Sequence, residues 1–186
     1  VPSIPSESEN LWPLRLAREE DAPGLESLIR ISSRTLQASV YSFAQIEAAL
    51  GPVFGVDLQL IHDGTYFVAE VGGVIVGCGG WSKRRSLYGG SDRRADDDSL
   101  LDPKQDAARI RAFFVHPSRA RQGIGRSILM QCERAIIDNA FLQIDIVATL
   151  VGEPLYAAFG YAVVGRFEIP LTGGLALPVV RMTKRL

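Results

Sequence analysis

One junction constrains the fold of this chain more than any other segment. An apolar run closing on Phe113, Phe114, Val115, His116 and Pro117 leads into Arg119-Ala120-Arg121-Gln122-Gly123-Ile124-Gly125-Arg126, and an amphipathic stretch follows. A strand that passes through a basic, glycine-containing loop into a helix is built to grip phosphate. The first N–H groups of a helix lack intrahelical partners, and the macrodipole makes that end electropositive. Glycines at 123 and 125 let a ligand reach the main chain, and Arg119, Arg121 and Arg126 add full positive charge.

The rest of the pattern alternates strands and helices. Val1 to Asn10 is rich in Ser, Pro and Glu and is expected to be a mobile lead-in to a single domain over 11–186. Leu14 to Ala17 alternates as a short strand. Asp21 is placed as the N-cap of a helix with Pro23 in its first turn and Leu25, Leu28, Ile29 and Leu36 on its apolar face. Ser42 caps a second helix through Phe43, Ile46 and Leu50, stopped by Gly51-Pro52, and a looser stretch runs to the turn at Asp63-Gly64. Tyr66 to Val71 and Val74 to Trp81 flank Gly72-Gly73 as a hairpin, with Gly77, Gly79 and Gly80 marking a bulge or a close backbone approach.

Residues 82–108 carry blocks of charge (Lys83-Arg84-Arg85, Arg93-Arg94, Asp96-Asp97-Asp98) around Gly89-Gly90. They read as a long surface loop, solvated in the simpler reading and a substrate-facing lip in the sharper one. Ala108 to Val115 is a strand. A helix from Gly123 to about Asn139 follows, with Ile124, Ile128, Cys132, Ala135 and Ile136 as its core stripe. A strand (Phe141 to Leu150), a short helix (Pro154 to Phe159) and two closing strands (Tyr161 to Ile169, Leu177 to Thr183) complete the order. This predicts an α/β fold with a mixed, mostly antiparallel twisted sheet flanked by helices.

Composition narrows the partners. With 186 residues, 47% hydrophobic and 22% charged, the chain can bury a real core. A formal net charge of −1 argues against a nucleic-acid surface. No run reaches the ~18–20 apolar residues of a membrane span, and no signal-peptide layout opens the chain, so a cytoplasmic protein is expected. Cys78 and Cys132 read as free buried thiols, and two scattered histidines add no metal-ligand cluster, so no metal is expected.

Two generic phosphate motifs fail. A P-loop needs Lys and then Ser or Thr after its glycines, where Arg126 stands here. A dinucleotide fingerprint needs a third glycine at position 128, which is Ile, and more βαβ units. The whole context, from the apolar strand through Val115-His116-Pro117 and Gly123-Ile124-Gly125-Arg126 to the helix, resembles the acetyl-CoA-binding core of the GCN5-related N-acetyltransferases (GNAT). Leu155-Tyr156-Ala157-Ala158-Phe159-Gly160-Tyr161 is similar to that family's short helix, and Arg181-Met182-Thr183-Lys184 to its closing strand. The sequence departs from the family pattern at Ala120, where Gln or Arg is common, and at 150–153, which has no Asn.

The resemblance implies the GNAT acyl-CoA N-acyltransferase fold and an acetyl-CoA-dependent transfer to a primary amine, in a small molecule or a peptide, by direct attack in a ternary complex. It implies that pantetheine lies beside the backbone of Phe113, Phe114 and Val115, with a main-chain N–H near Phe114 polarising the thioester. The amides of Arg121, Gln122, Gly123, Ile124, Gly125 and Arg126 would take the pyrophosphate, and Tyr156 would reprotonate the leaving thiolate. The strand before the loop has no acid for a general base, which leaves Glu70, Asp106 and Asp145 as candidates and keeps open a second reading, an acyl-CoA-binding sensor without transfer. Nucleotide hydrolysis is a third. Arg109 and Arg111 share one strand face, either salt-bridged or lining the acceptor site; in the second case Arg111→Ala would raise KM for the acceptor alone. His116, before Pro117 at a turn, reads as structural or cofactor-flanking, and His62 as a turn residue. A homodimer through strand edges is compatible with the pattern, and no residue requires one.

Overall fold

A computed structural model describes residues 12–86, 88 and 98–186. The expected lead-in at 1–10, the Gly89-Gly90 turn and most of the charge blocks around it lie outside the described residues. Strands β1 (Leu14–Leu16), β2 (Tyr66–Val71), β3 (Val74–Ser82), β4 (Ala108–Val115), β5 (Gln143–Thr149), β6 (Ala162–Pro170) and β7 (Ala176–Arg185) form one sheet in the order β1-β2-β3-β4-β5-β7-β6. Neighbours are antiparallel except β4 and β5. A parallel pair needs a crossover, and α4 (Ile124–Asp138) supplies it.

Each sheet face has its own core. On one, α4 presents Ile124, Ile128, Cys132 and Ile136, all buried at i, i+4 spacing, against Trp81, Ile110 and Ile144. Each such isoleucine contributes about 1.5–3 kcal/mol by leaving water. The packing is close because β3 has glycines beneath the helix: a Cβ on Gly79 would lie 2.6 Å from the Phe113 ring and 2.8 Å from Ile128. On the other face α1 (Ala22–Leu36), α2 (Phe43–Ala49) and α3 (Leu58–His62) cover Tyr66, Val68, Cys78 and Val179. The last helix, α5 (Glu153–Ala158), sits with α4. Among the described residues no helix is long and apolar enough to cross a membrane, and no His, Cys, Asp or Glu side chains group as a metal site. Cys78 and Cys132 are free and buried.

Several local expectations change. The looser stretch before Asp63 contains α3, five residues capped by Asp57, too short to show helical periodicity; His62 is its last residue and pairs with Glu19. Ser42 caps α2 in a capping box with Gln45, but Phe43 is 75% exposed because the buried face of that helix runs through Ile46 and Ala49. Asp21 precedes α1 without capping it. Its carboxylate instead accepts from the Arg18 amide and takes both Nη atoms of Arg15. Nor are the described ends of the 82–108 loop simply solvated: Arg84 bridges to Leu100, its guanidinium grips Asp63, and Leu101 enters the core.

Candidate functional site

A cleft opens where β4 and β5 part. They pair only from Ala108 to Ile110 against Ile144 to Ile146, after which β5 stays with β7 as far as Thr149. The divergence begins at a bulge. Between the pairs Gly80↔Arg111 and Cys78↔Phe114, β3 has one residue, Gly79, and β4 has two, Ala112 and Phe113. Ala112 adopts φ 57, a left-handed conformation costing roughly 1–2 kcal/mol for a residue with a Cβ. The extra residue bends the strand and resets its alternation. Phe113 therefore packs towards α4 and α5, and Phe114 on the opposite face, edge-on to Phe54 at 6.1 Å.

Beyond the bulge, the His116 amide donates to the Val76 carbonyl at 2.8 Å. Peptide groups alternate along a strand, so the Val115 amide and carbonyl turn to the cleft, where β5 no longer offers partners. The cleft has a volume of about 200 Å³ and is walled on this side by Phe113, Phe114, Val115, Ala148, Gly125 and Tyr156.

At its end lies the basic loop. Pro117–Arg119 makes a 3-10 turn in which His116 Nδ1 accepts from the Ser118 amide, a structural role. Arg121 has φ 64 and Gly123 φ 87, two left-handed residues that turn the chain into α4. The first helical bond runs from the Ser127 amide to the Gly123 carbonyl, leaving the amides at the start of α4 to point out of the helix. Gln122 contributes backbone more than side chain: its carbonyl accepts from Trp12 Nε1 at 2.8 Å and its Nε2 donates to the Ser118 carbonyl.

Tyr156 stands on α5, its ring edge-on to Phe113 at 6.1 Å and Tyr161 at 5.7 Å. Burial, with the neighbouring Cys132, pushes its hydroxyl well above the ordinary tyrosine range, so it holds its proton at neutral pH. The geometry is an unpaired strand edge leading to a ring of helix-start amides, with a protonated phenol on the wall. It suits an extended ligand with a peptide-like arm and a phosphate end.

A family model described as an acetyltransferase (GNAT) domain matches residues 62–163, from the end of α3 into β6. This span contains β4 and β5, between which the cleft opens, the loop and α5.

The chain belongs to the GNAT acetyltransferase family.

A curated relative from Stachybotrys chartarum described as an acetyltransferase is 31% identical over 80 residues, which is 43% of this chain and 33% of that protein. The match thus spans about a third of that relative. A GCN5-related N-acetyltransferase from Rhodopseudomonas palustris shares the fold at TM-score 0.70 and 22% identity, covering 95% of this chain and 97% of that one. An N-acetyltransferase from Thermoplasma acidophilum, solved with coenzyme A, aligns at TM-score 0.63 and 14% identity over 94% and 98% of the two chains.

In this GNAT domain the three acids considered as general bases are all engaged elsewhere. Glu70 bonds Arg15 at 2.6 Å on β2, two strands from β4, and Asp106 accepts from the Asp102 amide. Asp145 is buried between Arg109 at 2.8 Å and Arg181 at 2.6 Å, with Thr183 donating as well. Burial alone would raise its carboxyl; the hydrogen bonds from Arg181 and Thr183 and the charge of Arg109 outweigh that and hold it below the usual range. Arg109 and Arg111 do share a face, and both are salt-bridged. Arg111 is buried, with Nη2 3.0 Å from Asp57 Oδ2 and Nη1 donating to the Ser86 carbonyl. It lines the cleft as part of a closed ion pair, the salt-bridged alternative of the two, in place of a guanidinium open to an acceptor.

Sequence reasoning missed the other half of the wall. Ser32, Leu36 and Gln37, from α1 and the turn after it, line the cleft together with Phe54, Ile169, Leu177 and Val179. Only Leu36 carried a signal, as the last apolar position of the α1 stripe.

Proposed function

We propose that this GNAT domain transfers an acetyl group from acetyl-CoA to a primary amine by direct attack in a ternary complex. The observation that supports this best is the unpaired β4 edge at Phe113, Phe114 and Val115, which runs straight into the amides of Arg121, Gln122, Gly123, Ile124, Gly125 and Arg126. Pantetheine amides would complete that edge as an added strand. The pyrophosphate would sit on the helix start, with the arginine side chains as electrostatic support. The cleft-facing main-chain N–H of Val115 would stabilise the oxyanion as the amine lone pair attacks the thioester carbon.

The C–S bond then breaks with its electron pair on sulfur. Tyr156, protonated at neutral pH, supplies the proton that makes the free thiol; the proton lost by the amine leaves to solvent, and the phenolate takes one back from solvent to close the cycle. Holding amine and thioester together removes much of the entropic barrier, so the protein contributes by positioning as much as by proton transfer.

Acetyl-CoA should stabilise the protein thermally, and a panel of amines should release free CoA thiol in an acceptor-dependent way. The engagement of Glu70, Asp106 and Asp145 favours one competing reading, an acyl-CoA sensor. Stabilisation by acetyl-CoA with no acceptor-dependent thiol release would select it. Protection by ATP, with no response to acetyl-CoA, would overturn both.

A further inference from the structure

The bulge at Ala112 and Phe113 decides which amide faces the cleft. Continued without a break from Gly80↔Arg111, the register would set Val115 opposite Val76. His116 occupies that place instead, and its amide donates to the Val76 carbonyl. Without the extra residue the Val115 amide would turn into the sheet and make that bond itself. The cleft would then lose its donor at Val115.

A residue left outside the ladder has a carbonyl to satisfy, and Ala112 also holds φ 57. Its support comes from two strands away. Tyr66 on β2 pairs with Gly80 on β3, and Gly80 pairs with Arg111 on β4. Neighbouring strands lie about 4.8 Å apart, so a β2 side chain reaches β4 only by crossing β3. Gly80 leaves that path open, since a Cβ there would lie 3.0 Å from the Tyr66 ring. The Tyr66 hydroxyl ends 3.3 Å from the Ala112 carbonyl and 3.3 Å from Cys78 Sγ, and the Cys78 thiol donates to the same carbonyl at 3.7 Å.

Tyr66 and Cys78 are both fully buried. Burial pushes the thiol up to about 12 and the hydroxyl well above the ordinary tyrosine range, so both keep their protons at neutral pH. The Ala112 carbonyl therefore always has a donor. Neither side chain lines the cleft, so any effect on the chemistry passes through the bulge.

We propose that Tyr66 is a positioning residue for acetyl transfer: it crosses β3 over Gly80, holds the Ala112 carbonyl, and so fixes the bulge that aims the Val115 amide at the thioester oxygen. This rests on the transferase reading above and adds to it the residue that sets the oxyanion donor.

Tyr66→Phe keeps the ring and removes the hydroxyl. With the most active amine of the panel above, well below the melting temperature, kcat should fall about tenfold. Total loss of an oxyanion donor costs about a hundredfold or more, but Cys78 still donates to the carbonyl. Calorimetric affinity for CoA should stay close to the parent, because the pyrophosphate is held at the loop. Ala112→Gly in the Tyr66→Phe background should restore most of the lost kcat, because glycine holds φ 57 without support. A merely structural Tyr66 would give a lower melting temperature with parental kcat, and that result would overturn the proposal, as would a loss of kcat that Ala112→Gly does not restore.

The Val115 amide reports the same geometry without turnover. In 15N-labelled protein, acetyl-CoA should shift its NMR resonance, and the shift should shrink in Tyr66→Phe. A shrunken shift in a protein that releases no thiol with any amine overturns the transfer and retains the role of Tyr66 in aiming the amide. Equal shifts in parent and variant overturn that role, whether or not thiol is released.

Discussion

Arg111 on β4 and Asp57 at the start of α3 form an ion pair inside the cleft wall, 3.0 Å from Nη2 to Oδ2, with side chains 3% and 1% exposed. Their pairing ties α3 to β4. Arg111→Ala would strand the Asp57 carboxylate in a desolvated site, at a cost of about 3–5 kcal/mol. Urea denaturation should show that loss, and KM should rise for acetyl-CoA and amine alike. A variant of parental stability with a defect confined to the amine would return Arg111 to a direct role in acceptor binding.

Tyr156→Phe keeps the ring on Phe113 and Tyr161 and removes only the hydroxyl. Acetyl-CoA affinity and the unfolding midpoint should stay close to the parent. kcat should fall by about a hundredfold or more, the usual scale of a lost general acid. Because burial raises the hydroxyl above its ordinary value, near pH ~10, parental kcat should show no alkaline decline from this group below that pH. A kcat that survives the substitution would remove Tyr156 from the proton path.

Asp145 makes stability depend on acid. Its folded carboxyl lies below its unfolded value, so the unfolded chain binds the proton more readily and stability rises with pH between the two. The contribution is fully present above the ordinary carboxylate value, about pH 4, and is lost as pH falls through the folded one. Asp21, held low by the Arg15 hydrogen bonds, adds in the same direction. Melting temperature measured from pH 7 downward should drop below about pH 4, and Asp145→Asn should flatten that slope. An unchanged slope would show that the Arg109–Asp145–Arg181 cluster does not govern it.

Trp12 straps the glycine-containing loop that opens α4. Its indole Nε1 donates to the Gln122 carbonyl at 2.8 Å, and its amide donates to Ser127 Oγ at 3.0 Å, one contact on each side of the helix start. Trp12→Ala should raise KM for acetyl-CoA several-fold, as one or two hydrogen bonds that order the loop are lost, and leave kcat near the parental value. Equal affinity in the variant would mean that the loop holds its shape unaided.

The loop itself was legible in the sequence because its signals are local. A strand, a run of arginines, Gly123 and Gly125 and an amphipathic helix lie within one short stretch, and their meaning depends on main-chain geometry more than on distant partners. The core stripe of α4 and the hairpin around Gly72-Gly73 were legible for the same reason, since their periods are built into helix and strand. A five-residue helix such as α3 is too short for any period to show.

Charge partners were not legible at all. Arg111 and Asp145 each resemble an available functional group until the sheet brings Asp57 to one and Arg109 with Arg181 to the other. Gln37 is an unremarkable polar residue after a helix until the fold buries it. The bulge at Ala112 shifts every later side chain of β4 to the opposite face, and pairing with β3 is what reveals it. The sequence by itself determined the longer elements and the strand–loop–helix junction, because those follow from neighbours in the chain. The tertiary structure alone decided which polar groups are spent on one another and which remain for a substrate, because burial and pairing join residues that the chain keeps far apart.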